Sequence, residues 1–233
     1  NKTLMSLINL NAFEILKLFN SSKISAVEYV SELISHIKLR EPNVEAWAFL
    51  NEDLVKSQAK KIDEKRSSNL QKPFAGIPIG IKDIIDTKDF PTENGSKTCL
   101  GRKPKEDAHL VKLLRENEII IFGKCVTTEF ALSAPGKTKN PNNLECTPGG
   151  SSSGSAAAVA DKMIPTSIGT QTGGSVLRPA SYNGIIGFKP TFGSISRSGI
   201  SPISYRLDHP GVYAICIEDI RIISNLIISY DEN

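Results

Sequence analysis

The sequence contains few of the residues that mark specialised protein classes. Aromatic residues make up 6% of its 233 residues, with one tryptophan. Lysine and arginine (28) nearly balance aspartate and glutamate (25), so that the formal net charge is +3, and the charges are spread along the chain. Domains that bind nucleic acids usually concentrate positive charge on one segment or face. Direct contact with a nucleic acid is therefore not expected.

The cysteines and histidines are also few, and they do not follow metal-binding patterns. No C-x-x-C pair occurs, and no histidine lies at ligand spacing from a cysteine or carboxylate. We therefore expect no metal or other cofactor. The four cysteines are expected to be reduced thiols, as is usual in a cytoplasmic protein. The residues concerned are Cys99, Cys125, Cys146, Cys216, His36, His109 and His209.

Long apolar runs are absent as well. None approaches the roughly 20 residues that a membrane-spanning helix needs, and Asn1–Leu4 do not begin a secretory signal. Hydrophobic residues (39%) and charged residues (23%) occur in the proportions of an ordinary globular protein. Because the chain lacks an initiator methionine, we expect it to be a fragment.

Residues 1–72 are predicted to form a helical region that ends in a polar loop at 65–73. Ser25 and Glu28 form a capping box, after which apolar residues recur at helical spacing as far as Pro42. A second helix is predicted over 51–65.

Residues 73–233 alternate strand and helix patterns, which predicts an α/β fold with a mostly parallel or mixed sheet. The predicted strands cover 77–81, 118–122, 163–168 and 184–188. The predicted helices cover 107–117, with Asp107 as N-cap, 155–160 and 218–230, the last of which ends at Tyr230.

Two glycine- and serine-rich runs and one lysine are the candidates for chemistry. The run 147–155 leads straight into an alanine-rich helix, and its free N–H groups would suit a developing oxyanion. It also fits a G-x-S-x-G nucleophile elbow centred on Ser152, but no strand precedes it and only His209 follows. Lys82 follows a predicted strand, where it is either a base or the ion-pair partner of Asp83 or Asp86.

The motifs at these positions together resemble the amidase signature family. They are GIPIGIKD at 76–83, PGGSSSGSAAAVA at 148–160 and GTQTGGSVLRPA at 169–180, continued by GIIGFKPT at 184–191 and LDHPG at 207–211. The resemblance implies a mixed β-sheet covered by helices on both faces. Since family members are substantially longer, residues 73–233 would form a core truncated at its C-terminus.

The resemblance also implies the roles of individual residues. Lys82 would be the base, Ser151 the bridging serine after a cis peptide bond, and Ser175 the nucleophile. The backbone N–H groups of Ser175 and of the preceding turn would form an oxyanion hole, and no cofactor is implied. The residues of that turn are Thr172, Gly173 and Gly174.

Two positions depart from the common family pattern. Gln171 stands where many members carry aspartate, and Arg178 lies three places after Ser175 rather than two. An Asp–Arg ion pair that braces the oxyanion loop is therefore not expected, although Gln171 can still form hydrogen bonds. These features, with the run 127–131, favour the free-standing amidases.

The leading hypothesis is therefore an amidase that hydrolyses the C–N bond of a small-molecule carboxamide through an acyl-enzyme. The first alternative is the A subunit of a tRNA-dependent amidotransferase, which releases ammonia from glutamine and meets tRNA only through a partner subunit. The second alternative is a catalytically silent, truncated remnant. Homodimer formation is left open.

Overall fold

A six-stranded mixed β-sheet forms the centre of the protein in a computed structural model that describes residues 6–229. Its order is β1-β3-β2-β4-β6-β5; β2 is parallel to β3 and β4, and the other pairs are antiparallel. The predicted α/β class with a mixed sheet is confirmed. The strands are β1 (Trp47–Leu50), β2 (Pro78–Lys82), β3 (Ile120–Cys125), β4 (Thr166–Gln171), β5 (Ile186–Phe188) and β6 (His209–Ala214).

Helices cover both faces of this sheet, and within residues 6–229 none is long and apolar enough to cross a membrane. Single 3-10 turns occur at Leu7–Asn9, Lys97–Cys99 and Glu129–Ala131. The α-helices are α1 (Ala12–Asn20), α2 (Ala26–Val44), α3 (Glu52–Ser67), α4 (His109–Glu116), α5 (Ser153–Ala160), α6 (Leu177–Asn183) and α7 (Ile217–Ile227).

The predicted helix starts are confirmed in one case and wrong in another. Ser25 and Glu28 form the reciprocal capping box at the start of α2, which runs past Pro42 to Val44. Asp107 does not cap α4. Its carboxylate instead accepts hydrogen bonds from the Lys88 N–H and the Arg115 side chain. The N-cap residue of α4 is Ala108, which has no side-chain acceptor.

Strands β1 and β6 were not predicted from the sequence. Strand β1 lies within residues 1–72 yet pairs with β3, while the division at residue 72 stays a prediction. Strand β6 contains Pro210, which cannot donate a ladder hydrogen bond, so its sequence is atypical of a strand. The predicted helix over 218–230 ends at Ile227, and Tyr230 lies outside the described residues.

Small residues allow α5 to pack closely against the sheet. A Cβ atom on Gly154 would lie 2.2 Å from the Ala46 carbonyl oxygen, which leaves room only for glycine. The Ser155 hydroxyl donates to the Ile168 carbonyl (3.0 Å), and the Ser167 hydroxyl donates to the Ser155 carbonyl (2.7 Å). These bonds hold the first turn of α5 against the first half of β4.

Aspartates from distant segments cap the first two helices. Asp219 accepts hydrogen bonds from the N–H groups of Ala12 and Phe13 (2.8 and 2.9 Å) and so joins α7 to the start of α1. Asp63 on α3 similarly accepts from the first two N–H groups of α2. Each carboxylate satisfies two donors that a helix leaves free at its N-terminus.

We expect Asp219→Ala to lower the free energy of unfolding by about 2–3 kcal/mol, because one buried and one partly buried N–H group lose a charged acceptor. Urea unfolding measures this change. Glu218→Ala, at the exposed neighbouring position, is the matched control and should change stability little. Equal effects of the two substitutions would contradict a capping role for Asp219.

Candidate active site

Lys82 lies at the carboxyl end of β2, where the parallel pairing with β4 brings it next to Thr170. Its side chain is 0% exposed. Its Nζ donates hydrogen bonds to Ser151 Oγ (2.7 Å) and to Thr170 Oγ1 (2.8 Å). The sheet therefore brings together two of the three residues that the family resemblance implies for the triad.

Burial lowers the pKa of Lys82 well below its ordinary value of 10.5, because the charged ammonium loses its hydration. The negative charge of Asp208 acts in the opposite direction but is the smaller effect. The expected alternative, an ion pair with Asp83 or Asp86, is wrong. Those carboxylates pair instead with two other cations, Lys124 and Arg102.

Ser151 follows a cis peptide bond from Gly150, as the resemblance implies. Hydrogen bonds hold both residues of this peptide: the Thr128 N–H donates to the Ser151 carbonyl (3.0 Å), and Arg178 Nε donates to the Gly150 carbonyl (3.0 Å). The Ser151 hydroxyl is thereby held against Lys82 Nζ.

Ser152, the centre of the elbow-like pattern, has a structural position. Its hydroxyl donates to the Thr170 carbonyl and accepts from the Thr170 N–H, both at 3.1 Å, and the residue is fully buried. It thus extends the contacts between α5 and β4. Because both hydrogen bonds of its hydroxyl go to the Thr170 backbone, Ser152 has no base beside it. The nucleophile-elbow interpretation is therefore disfavoured.

Ser175 lies in the turn between β4 and α6 and is 8% exposed. Within residues 6–229 no hydrogen bond links its hydroxyl to Lys82 or Ser151. The Tyr213 hydroxyl donates to its carbonyl (3.0 Å). Tyr213 is thus a contact of the site that the sequence analysis missed, because its strand, β6, was not predicted.

The turn that contains Ser175 leaves several backbone donors free. Gln171 Oε1 accepts from the N–H groups of Val176 and Leu177 (2.9 and 3.0 Å), which confirms that it forms hydrogen bonds. In the described part of the chain, the N–H groups of 172–175 have no hydrogen-bond acceptor. A Cβ atom on Gly173 would meet nothing within 4 Å, so open space adjoins these donors.

Asp208 fixes the other end of this turn. Its Oδ1 accepts from Thr172 Oγ1 (2.5 Å), while Oδ2 accepts from the N–H groups of Ile203 and Ser204 (2.8 and 2.9 Å). No role was predicted for Asp208 from the sequence, although it lies in the LDHPG motif.

Two cavities border the site. One of about 250 Å³ has Thr170, Thr172 and Asp208 in a largely apolar wall. The other, of about 300 Å³, includes Gly150 and Arg178 in its lining. Residues 6–229 contain no group of three or more histidine, cysteine, aspartate or glutamate side chains that could hold a metal ion. The polar groups described at the site are the Lys82 amine, the hydroxyls of Ser151 and Thr170, and the backbone N–H groups of 172–175.

Known protein sequences are similar to this chain over nearly its whole length. The profile of the Amidase family matches residues 28–233. The A subunit of the glutamyl-tRNA(Gln) amidotransferase from Clostridium botulinum (strain Okra) is 38% identical over 235 residues, which cover 98% of this chain and 48% of that protein. Its counterpart from Bacillus cytotoxicus is 40% identical over 221 residues, covering 92% and 46%. The chain thus spans about half the length of these relatives.

Solved structures share the fold described above. The peptide amidase of Stenotrophomonas maltophilia superposes with a TM-score of 0.90 at 30% identity, covering 95% of this chain and 48% of that one. The 6-aminohexanoate cyclic dimer hydrolase gives a TM-score of 0.88 at 27% identity, covering 98% and 48%. Because the motifs, the sheet and these similarities agree, the chain belongs to the amidase signature family.

Proposed function

We propose that this chain carries the catalytic centre of a hydrolase that cleaves the C–N bond of carboxamides through Lys82, Ser151 and Ser175. The observation that carries the proposal is the fully buried Lys82 amine, 2.7 Å from Ser151 Oγ and without an ion-pair partner in the described part of the chain. Membership of the amidase signature family supports it.

Burial supplies a base in this mechanism. A lysine in water titrates near 10.4 and is almost entirely protonated at neutral pH, so it cannot accept a proton. Because the site lowers the pKa of Lys82, the neutral amine becomes accessible. Its lone pair then accepts the Ser151 proton as Ser151 accepts the proton of Ser175.

The Ser175 oxygen then attacks the carboxamide carbon and forms a C–O bond, and the carbonyl electron pair moves to oxygen. The N–H groups of 172–175 stabilise this oxyanion, and loss of one such donor typically costs about 10²–10³ in rate. As the C–N bond breaks, the protonated Lys82 returns a proton through Ser151 to the leaving nitrogen. Water then hydrolyses the acyl-enzyme, with the same relay acting as base.

We expect a fluorophosphonate probe to form an adduct on Ser175, located by peptide mapping. Lys82→Met should slow the labelling by at least about 10²-fold, because general-base assistance contributes about 10²–10⁴-fold. Ser175→Ala should abolish it, and Ser151→Ala should slow it strongly.

Ser153→Ala is the matched control for this experiment, since Ser153 belongs to the same serine run and its hydroxyl bonds to the Val126 carbonyl. An adduct on Ser152 would contradict the assigned nucleophile. A chain that is folded by circular dichroism but remains unlabelled would favour the silent remnant.

The lowered pKa of Lys82 also predicts a pH-dependent stability. Between the pKa of Lys82 in the folded state and 10.5, the unfolded chain binds a proton that the folded chain does not, so Lys82 makes stability rise with pH in that window. Lys82→Met removes this contribution. The parent chain should become more stable as pH rises through this window, whereas the Lys82→Met variant should not. The difference in unfolding free energy, variant minus parent, should therefore fall as pH rises towards 10.5.

Urea unfolding between about pH 6 and pH 10 measures this difference. Lys139→Met, at an exposed lysine, is the control for removal of an ammonium group from the surface. A difference between Lys82→Met and the parent that stays constant with pH would contradict a neutral Lys82.

A second candidate function is that of an amidotransferase A subunit, with glutamine as the amide. The observation that favours it is the identity of 37–40% to proteins of that name, compared with 27–31% to the solved amidases. Such a protein would release ammonia and pass it to a partner-bound acceptor rather than to solvent.

The two candidates differ in their dependence on a partner. As an amidotransferase component, the chain should release ammonia from glutamine substantially faster when the remaining subunits of the Clostridium botulinum enzyme are added. As a free-standing amidase, it should hydrolyse simple carboxamides at a rate that those subunits leave unchanged. Ammonia release, followed with and without the subunits, distinguishes the two.

A further inference from the structure

Asp208 lies where the ladder between β4 and β6 meets the turn 172–175. The antiparallel register ends with Gln171 opposite His209, so Thr172 and Asp208, the residues just beyond that pair, come to lie next to each other. Thr172 Oγ1 donates to Asp208 Oδ1 (2.5 Å). This bond links the turn to the chain segment that enters β6.

Little else restrains the first half of this turn. In residues 6–229 the bond to Asp208 is the only hydrogen bond described for Thr172 or Gly173. A Cβ atom on Gly173 would meet nothing within 4 Å, and glycine has the greatest backbone freedom of all residues. The second half of the turn is held separately, by hydrogen bonds to the Gln171 side chain. The N–H groups of the first half therefore depend on Asp208 for their position.

Asp208 is itself held by the backbone around it. Its Oδ2 accepts from the N–H groups of Ile203 and Ser204 (2.8 and 2.9 Å), and its own N–H donates to the Ser204 carbonyl (3.0 Å). These bonds fix the carboxylate and leave Oδ1 for Thr172. A side chain that is locked in this way can position the group that it binds.

We propose that Asp208 is a positioning residue of the reaction, which holds the N–H groups of 172–174 towards the developing oxyanion through its bond to Thr172. The proposal rests on the proposed function, because it takes this turn as the oxyanion hole of Ser175. Donors in such a hole act only when they are fixed at hydrogen-bond distance from the oxyanion. A displacement of about 1 Å can cost 10²-fold in rate.

The charge of Asp208 gives this role a signature that a purely structural contact lacks. Its negative charge raises the pKa of Lys82, against the larger effect of burial. The three donors that bind its carboxylate are neutral groups, so they leave this charge in place. Loss of the charge should lower the pKa of Lys82. Labelling of Ser175, which requires the neutral amine, should then begin at lower pH.

The other titratable groups near Lys82 do not share this role. Asp83 forms an ion pair with Lys124. Cys125 lies beside Lys82 in the sheet, and burial raises the pKa of its thiol. The cavity that Asp208 borders contains three further groups that can carry charge, namely Arg197, Tyr205 and His209. All of these groups stay unchanged in the variants below, so a difference between variants reports on Asp208 and its bond.

Three variants separate the hydrogen bond from the charge. Thr172→Val removes the hydroxyl and keeps the shape of the side chain, while Thr172→Ser keeps the hydroxyl. Asp208→Asn removes the charge but can keep the contacts, since its Oδ1 can accept from the two backbone N–H groups and its Nδ2 can donate to Thr172 Oγ1. The rate of fluorophosphonate labelling of Ser175 is measured for each between about pH 6 and pH 10.

Thr172→Val should slow labelling about 10- to 100-fold at every pH, because the oxyanion donors lose their position, and should leave the midpoint of the pH profile unchanged. Thr172→Ser should label within about threefold of the parent. Asp208→Asn should shift the midpoint to lower pH. Below the midpoint of the parent it should label about threefold faster, and its plateau should stay within about threefold of the parent. Glu145→Gln, at an exposed carboxylate, is the matched control for loss of a negative charge and should leave the profile unchanged.

Several outcomes would overturn the positioning role. They are parent-like labelling of Thr172→Val, an equal slowing by Thr172→Ser, and a midpoint that Asp208→Asn leaves in place or that Glu145→Gln shifts equally. If circular dichroism shows that Asp208→Asn is unfolded, the two Thr172 variants decide, since Thr172 is partly exposed.

Failure of the proposed function is recognised separately, as absence of labelling of the parent at every pH. Nuclear magnetic resonance then decides on Asp208 without any reaction. Asp208→Asn should lower the pKa read from the ε-carbon of Lys82. Thr172→Val, but not Thr172→Ser, should shift the amide resonances of Gly173 and Gly174. An unchanged pKa or unchanged amide resonances would contradict the role of Asp208.

Discussion

Burial of the Lys82 amine disfavours its charged form, and the rest of the site is arranged around this constraint. Moving an ammonium group out of water is costly unless a counter-charge is close by. The nearby carboxylates of Asp83 and Asp86 are engaged by other cations, while Asp208 acts only at longer range. Lys82 therefore meets hydroxyl groups, with which a neutral amine can exchange protons.

The sheet achieves this arrangement by register. Parallel pairing of β2 with β4 brings Lys82 and Thr170 to the same edge, the edge at which open α/β sheets usually bind ligands. The serine run at the start of α5 reaches the same edge because the hydroxyls of Ser152 and Ser155 bond to β4. Thus one serine-rich segment has two tasks: Ser152 and Ser155 anchor the helix, and Ser151 faces the lysine.

The motifs predicted the contact between Lys82 and Ser151, whereas two strands of the sheet were not predicted. Lys82 and Ser151 could be paired only through the motifs of a known family, since 68 residues separate them in the chain. Strands β1 and β6 escaped prediction because one is four residues long and the other contains a proline, so local patterns were weak. Asp208 and Tyr213 were missed for a related reason, because their contacts with the Ser175 turn depend on how β6 and the loop before it pack.

The glycines near the site differ in whether packing of the folded chain requires them. At Gly154 and Gly169 a methyl group would collide with neighbouring backbone or side-chain atoms, so the folded chain itself demands glycine there. At Gly173 a methyl group would meet nothing of this protein within 4 Å. An alanine methyl group there would contact no described atom of the folded chain and could contact only a molecule that approaches from outside. Packing within the described part of the chain therefore does not require glycine at position 173.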